Sequence, residues 1–388
     1  MMRWWWPRWR RPISRTALPV AIVLVLTAGP AVAAGCAELA AWPAWQQFQK
    51  RFISTDGRVI DHGSAAHVTT SEGQAYGMLF ALIANDPAGF ERLLDWTTNH
   101  LARGNLDARL PAWQWGKRAD GSWGVLDDNA ASDADLWMAY ALTEAGRLWN
   151  RPRYADLGRA LAARIMHEET ALLTPLGRVL LPGPRTFRLA NKTVRLNPSY
   201  YPIQVLRRLA KVHPTDGWNQ IAQTSISLLR QSADQGYFPD WILYQDHVGF
   251  LPDQEKRAIG SYDAIRVYLW AGMLDAGDPL RAELIAKADP IIQYVVQQGV
   301  PPLEIDTLSG AAQGYGPVGF SAALLPILAV YDRKPLLQQQ HLRVINAAPL
   351  ERRNNYYEQV LTLFGLGWLE RRYRFDADGA LQPDWTCR

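Results

Sequence analysis

Cysteine is nearly absent from this chain, with two in 388 residues, and that scarcity excludes both a disulfide-framed fold and a cysteine-built metal centre. The seven histidines are scattered and form no H-E-x-x-H pattern, and neither a G-x-S-x-G elbow nor a Gly-rich phosphate loop occurs. Metal hydrolysis, serine-nucleophile chemistry and nucleotide-driven chemistry therefore lack the residues they need, and no cofactor or metal is expected. A linker is missing as well. Between Trp42 and Trp385 no Pro/Gly/Ser-rich stretch or charge block divides the chain, so one large domain is the simpler organisation.

Charge of one sign is also lacking once the first residues are set apart. Arg3, Arg8, Arg10, Arg11 and Arg15 precede an apolar run from Ala17 to Ala28 and the small residues Ala31-Val32-Ala33. The run is too short for a stable transmembrane anchor, and the pattern is that of a Sec-type signal peptide over residues 1–34. The whole chain carries +4; without those five arginines the remainder is −1, too little for nucleic acid or an anionic membrane to be the partner. A neutral ligand and a periplasmic or secreted location are expected. An oxidising compartment would permit a disulfide between Cys36 and Cys387, pinning both termini. The alternative is lipid attachment at Cys36, because Ala33-Ala34-Gly35-Cys36 resembles a lipobox with Ala in place of the usual Leu.

What the chain has in abundance is helical periodicity. Apolar residues recur at three and four from Glu72 onward (Ala75, Met78, Leu79, Leu82, Ile83), after the capping candidates Thr70 and Ser71. A second helix follows from Pro87 to Leu101 across an Asn85-Asp86-Pro87 turn. The couplet recurs as Asp133–Trp149 with Tyr154–Met166, across Asn150-Arg151-Pro152, then as Tyr201–Ala210 with Trp218–Ser232 and as Tyr262–Leu274 with Leu280–Gln297. Phe320–Tyr331, Tyr356–Tyr373, an opening helix at Trp45–Phe52 and one at Leu336–Val344 bring the count to about twelve. The class is all-α, and six antiparallel hairpins can close into a ring. Long aromatic connections, Pro111–Asn129, Leu173–Pro198 and Gly236–Ser261, separate the pairs and are the natural place for a binding surface.

Three of the predicted helices start on an acid. Glu72 lies in Thr70-Ser71-Glu72-Gly73-Gln74-Ala75-Tyr76-Gly77, where Gly73 and Gly77 leave room for something bulky. Asp133 and Asp135 share the head of another helix, one of them suited to capping it. Asp263 is followed one turn later by Arg266, which can pair with it or grip a hydroxyl. Each acid alone is explained by capping and by the helix dipole; three together at alternate helices of a ring would line one mouth. Trp113, Trp115, Trp123, Tyr200, Tyr201, Trp241 and Tyr244 lie mostly in the long connections, where rings can stack on sugar faces, although about half of such residues would be expected to be buried.

The blocks Thr70–Gly77, Ala131-Ser132-Asp133-Ala134-Asp135 with Met138-Ala139 and Trp149, and Ser261–Arg266 resemble glycoside hydrolase family 8, with similarity running from Trp42 to Trp385. The resemblance implies an (α/α)6 barrel forming a single catalytic domain over 35–388, and hydrolysis of internal β-1,4-glucan bonds with inversion. It also implies β-1,4-glucan chains as substrate and the cellulose synthase export complex as a candidate partner. By position, Glu72 matches the proton donor, Asp263 the general base, and Asp133 a further acid that holds the distorted sugar. Arg266 would support Asp263. Tyr200, Tyr76 and one of Trp113 and Trp115 would contact the sugar. Xylan and chitosan are substrates of other family members, and a glycan-binding scaffold without catalysis is the rival from another class.

Overall fold

The computed structural model describes residues 42–233, 235–347 and 355–386. The signal segment and both Cys36 and Cys387 lie outside the described residues. Thirteen α-helices are described. They are α1 (Pro43–Phe52), α2 (Ser71–Ile83), α3 (Pro87–His100), α4 (Ser132–Leu148), α5 (Pro152–Glu168), α6 (Ile203–Val212), α7 (Trp218–Gln231), α8 (Ile265–Met273), α9 (Pro279–Lys287), α10 (Asp289–Gln298), α11 (Val318–Val330), α12 (Lys334–Ile345) and α13 (Tyr356–Leu369). The count exceeds the expected twelve because Leu280–Gln297 is two helices. Pro290 has no N–H to continue the ladder, so a new helix begins at Asp289.

Helices α2, α4, α6, α8, α11 and α13 form an inner ring: α2 packs on α4, α4 on α6, α8 on α11, α11 on α13 and α13 back on α2, while Pro198–Tyr200 lies against α4, α7 and α8. The outer layer is α3, α5, α7, α9 with α10, α12 and α1. Composition sorts the two layers. Helix α11 is apolar all round and buried over nearly its full length, whereas α1, α3 and α7 bury one stripe.

Turn chemistry sets the direction. Inner helices pass to outer ones through tight turns whose central residue is left-handed: Asn85 (φ 52), Asn150 (φ 52) and Asp332 (φ 54), residue types that tolerate this conformation. A proline at the first or second position then starts each of α3, α5 and α12. The long connections consequently return at the opposite end and deliver the chain to the N-termini of the inner helices.

Those connections hold short antiparallel strands that the sequence did not suggest. Strands β1 (Thr69–Thr70), β2 (Gln114–Lys117) and β3 (Trp123–Asp127) form one sheet, with Thr69 opposite Trp115. Strands β4 (Thr170–Leu173) and β5 (Gly177–Leu180) form a hairpin. Strands β6 (Thr193–Leu196), β7 (Ile242–Gln245) and β8 (Gly249–Pro252) form a second three-stranded sheet, and β9 (Ile259–Gly260), β10 (Pro302–Asp306) and β11 (Ala312–Tyr315) a third. A small pair near the end, Tyr373–Phe375 with Leu381–Pro383, completes the set.

Candidate active site

Arg266, in the first turn of α8, joins all three acids. Its Nη1 donates to Glu72 Oε2 at 2.6 Å, to Asp133 Oδ2 at 2.8 Å and to the Tyr76 hydroxyl at 3.2 Å, while Nη2 donates to Asp263 Oδ1 at 2.7 Å. Its side chain is 2% exposed. Charge-assisted bonds of this kind are short and directional, and here they tie α2, α4 and α8 to one guanidinium. The pairing with Asp263 was legible one turn away. The reach to Glu72 and Asp133, distant in sequence, was not.

The inner helices explain the convergence. Glu72 lies in the first turn of α2, whose N-cap Thr70 accepts the Gly73 N–H at 3.0 Å. Asp133 lies in the first turn of α4. Helix α8 begins at Ile265, so Asp263 sits in the turn before it rather than in the helix. Tyr356 and Tyr357 open α13. The Tyr356 hydroxyl donates to Glu72 Oε1 at 3.0 Å and exchanges a 2.8 Å bond with Thr70, and the Tyr357 hydroxyl donates to the Tyr262 carbonyl at 2.7 Å. The rings of Tyr200 and Tyr357 lie 5.5 and 5.9 Å from the Arg266 guanidinium. Neither Tyr356 nor Tyr357 was singled out in the sequence, since a Tyr-Tyr pair at a helix start reads as core.

Burial dominates the electrostatics. It raises Glu72 from 4.5 to about 7, aided by the charges of Asp133 and Asp263 and opposed by Arg266 and the Tyr356 bond. Like-charge repulsion from Asp133 contributes behind burial. Asp133 is raised as well, by burial first, against Arg266 and the Ala134 N–H that its Oδ1 accepts at 2.8 Å. Asp135 neither caps α4 nor faces the cluster. It is buried near Glu169, and burial followed by neighbouring carboxylates holds both well above the ordinary range.

Several expectations change at this point. Tyr76 is 1% exposed, packed edge-on against Trp137 and Phe364 beneath Arg266, so it supports the arginine and does not reach a surface where a sugar could touch it. The room beside Gly73 is filled by Tyr356 and Val59, each 3.3 Å from where a Cβ would sit, and that beside Gly77 by Leu93. Tyr201 and Tyr244 are buried. The two tryptophans are now distinguishable. Both are half-buried, but the ring of Trp115 packs against Trp96, His100, Trp123 and the Arg58 guanidinium, the last 4.4 Å from its ring. Trp113 is half-buried and lies directly beside the acid helix, its carbonyl accepting the Ser71 N–H at 3.0 Å.

An acid held near neutrality, companion carboxylates on a shared arginine, and half-buried rings at Trp113, Tyr200, Trp241 and Tyr357 together are the equipment of a glycoside hydrolase. The chain belongs to glycosyl hydrolases family 8, whose model matches residues 19–371. It is 46% identical over 364 residues to an endoglucanase of Escherichia coli K12, covering 94% of this chain and 96% of that one. To an endoglucanase of Xanthomonas axonopodis pv. citri it is 49% identical over 345 residues, 89% of each. The endo-1,4-D-glucanase from Vibrio fischeri superposes with a TM-score of 0.87 at 45% identity, covering 89% of this chain and all of that one. The endo-β-1,4-glucanase CMCax from Acetobacter xylinum gives 0.69 at 27% identity, with 84% and 96% covered. The (α/α)6 barrel expected from the sequence is thus the architecture of this chain, and no described helix is long and apolar enough to cross a membrane.

Proposed function

We propose that this chain, as one catalytic domain over residues 35–388, cleaves internal β-1,4-glucosidic bonds of glucan with inversion, Glu72 acting as general acid and Asp263 as general base. The observation that carries the assignment is the contrast between the two aspartates on Arg266. Asp133 is 4% exposed with both oxygens engaged, so it has no face to offer a water. Asp263 is 28% exposed, bonded to Arg266 through Oδ1, and its Oδ2 has no hydrogen bond among the described residues. Glu72 and Asp263 bond to the two different terminal nitrogens of one rigid fork, which holds them apart, as an acid and a base that admit a water between them must be.

In this reading Glu72, neutral below about pH 7, gives its proton to the leaving oxygen as the bond breaks. Asp263 takes a proton from the water that attacks the opposite face of the anomeric carbon. Asp133 stabilises the positive charge that develops on the distorted sugar, Arg266 holds the three carboxyl groups in place, and Trp113 and Tyr200 stack on or touch neighbouring units. The signal segment supports action in the periplasm or outside the cell, on glucan chains passing through the cellulose export machinery.

The test is the fall in viscosity of carboxymethylcellulose against new reducing ends, with Glu72→Gln and Asp263→Asn beside the parent. Rapid viscosity loss, with each variant folded and about 10²–10⁴-fold slower, is the expected result. A parent that leaves both this polymer and xylan intact would overturn the proposal in favour of a glycan-binding scaffold.

A further inference from the structure

A fourth carboxyl group lies against the acid cluster, and no step above uses it. Asp240 sits in the connection after α7, just before Trp241, and its Oδ1 accepts two backbone N–H groups, those of Ser261 and Ala264, at 2.8 Å each. These two residues bracket Tyr262 and Asp263. Helix starts leave N–H groups without intrahelical partners, and a side chain at the N-cap normally takes them up. Ala264, at the N-cap of α8, has no side chain able to do so. The cap comes instead from a residue more than twenty positions earlier in the chain.

The rest of the turn is tied down on other sides. The Asp240 N–H donates to the Ile259 carbonyl at 2.7 Å, which fixes the two segments side by side. The Ser261 hydroxyl donates to the Leu303 carbonyl at 2.7 Å, and Tyr357 holds the Tyr262 carbonyl. Arg266 fixes the carboxyl group of Asp263 but not the backbone that carries it. Asp240 holds that backbone on both sides of Asp263, at the Ser261 and Ala264 N–H groups, and Tyr357 holds it at the Tyr262 carbonyl.

We propose that Asp240 is a positioning residue for the general base: its Oδ1 holds the Ser261–Ala264 turn so that the Asp263 carboxylate faces the attacking water. The proposal rests on the reading of Asp263 as base. Asp240 acts through the turn to which its Oδ1 is bonded. Its charge state fits the same role. Burial first, then the charge of Asp263, raise it from 3.8 to about 7, against the two N–H bonds and Arg266. Asp263 and Arg266 are the charged groups facing it, and the Tyr268 phenol of α8 also lies within its field. Below pH 7 Asp240 is a neutral acid whose carbonyl oxygen still accepts both bonds, which is the form an asparagine reproduces. Above pH 7 it carries a negative charge next to Asp263 and Arg266.

The experiment compares Asp240→Asn and Asp240→Ala with the parent on cello-oligosaccharides across pH 5–9, with thermal melts of each and Asp263→Asn as control. Asp240→Asn, which keeps the oxygen that accepts both N–H groups, is expected to keep kcat and KM close to those of the parent. Asp240→Ala is expected to lose about 10²-fold in kcat, the scale of a misplacement of about 1 Å, with KM little changed. Parent kcat in folded Asp240→Ala would overturn the positioning role, and so would Asp240→Asn impaired as deeply as Asp240→Ala below pH 7. If Asp240→Ala does not fold, Asp240→Asn decides alone: a folded Asp240→Asn that loses about 10²-fold in kcat below pH 7 refutes the proposal, because it keeps the oxygen that accepts both N–H groups. An active Asp263→Asn refutes the base assignment itself, a separate failure.

Discussion

Replacing Asp133 by asparagine should move the alkaline limb of activity to lower pH. Glu72 Oε2 and Asp133 Oδ2 lie 2.6 and 2.8 Å from the same Arg266 nitrogen, so the two oxygens are at most the sum of those distances, 5.4 Å, apart. Two unit charges at that separation interact by about 3 kcal/mol at an effective dielectric constant of 20 and by about 0.8 kcal/mol in bulk water. At 1.36 kcal/mol per pH unit this is a shift of roughly 0.6 to 2 units. The sign follows from the role. Glu72 works protonated, its pKa is about 7 with Asp133 present, and removing a neighbouring negative charge makes ionisation easier. Asparagine also keeps an oxygen for the Ala134 N–H, so the backbone of α4 has no reason to move. The assay is kcat/KM on soluble cello-oligosaccharides from pH 5 to 9, paired with a carboxyl-carbon NMR titration of Glu72 that needs no turnover. A limb that stays in place or moves upward would refute the reasoning and leave burial and Asp263 as the causes of the raised value.

The remaining expectations concern stereochemistry, the tryptophans and the packing of the ring. Proton NMR of the first turnovers should show the α-anomer appearing before mutarotation; an initial β-anomer would rule out inversion at Asp263. Trp113→Ala should raise KM for oligosaccharides with little change in melting temperature, whereas Trp115→Ala should lower the melting temperature, because four neighbours pack on that ring; the reverse pattern would exchange their roles. Gly365→Ala should destabilise by about 1–3 kcal/mol or more in thermal melts, since a Cβ there would lie 1.9 Å from the Ala322 carbonyl oxygen of the adjacent inner helix; an unchanged melt would mean that α11 and α13 can move apart freely.

The ring of hairpins was legible because the signals that build it are local. Period-three-and-four apolar spacing from Glu72 to Ile83 and the Asn-x-Pro turns after α2 and α4 mark both the helices and their reversals. The short strands escaped notice, since pieces such as Thr69–Thr70 and Ile259–Gly260 are two residues long and pairing across the chain, not alternation, defines them. The acids were found at helix starts for the same local reasons. Their organiser was half seen: Arg266 is three residues from Asp263, but its bonds to Glu72 and Asp133 span 194 and 133 positions. Tyr356 acts across 284 positions and Asp240 across 24, and no spacing rule within one helix finds them.

The layout of the barrel has an evolutionary consequence. The proton-handling side chains stand on the rigid inner ring, where Gly272, Gly319 and Gly365 let neighbouring helices come too close for a Cβ. Trp113, Trp123 and Trp241 stand on or beside the hairpins that return between the helices. A hairpin can lengthen, shorten or exchange its rings without moving the ring of helices beneath it. Chemistry and taste are thereby inherited on separate parts of the chain: one set of acids can persist unchanged while the rim is remodelled for polymers of different width and decoration.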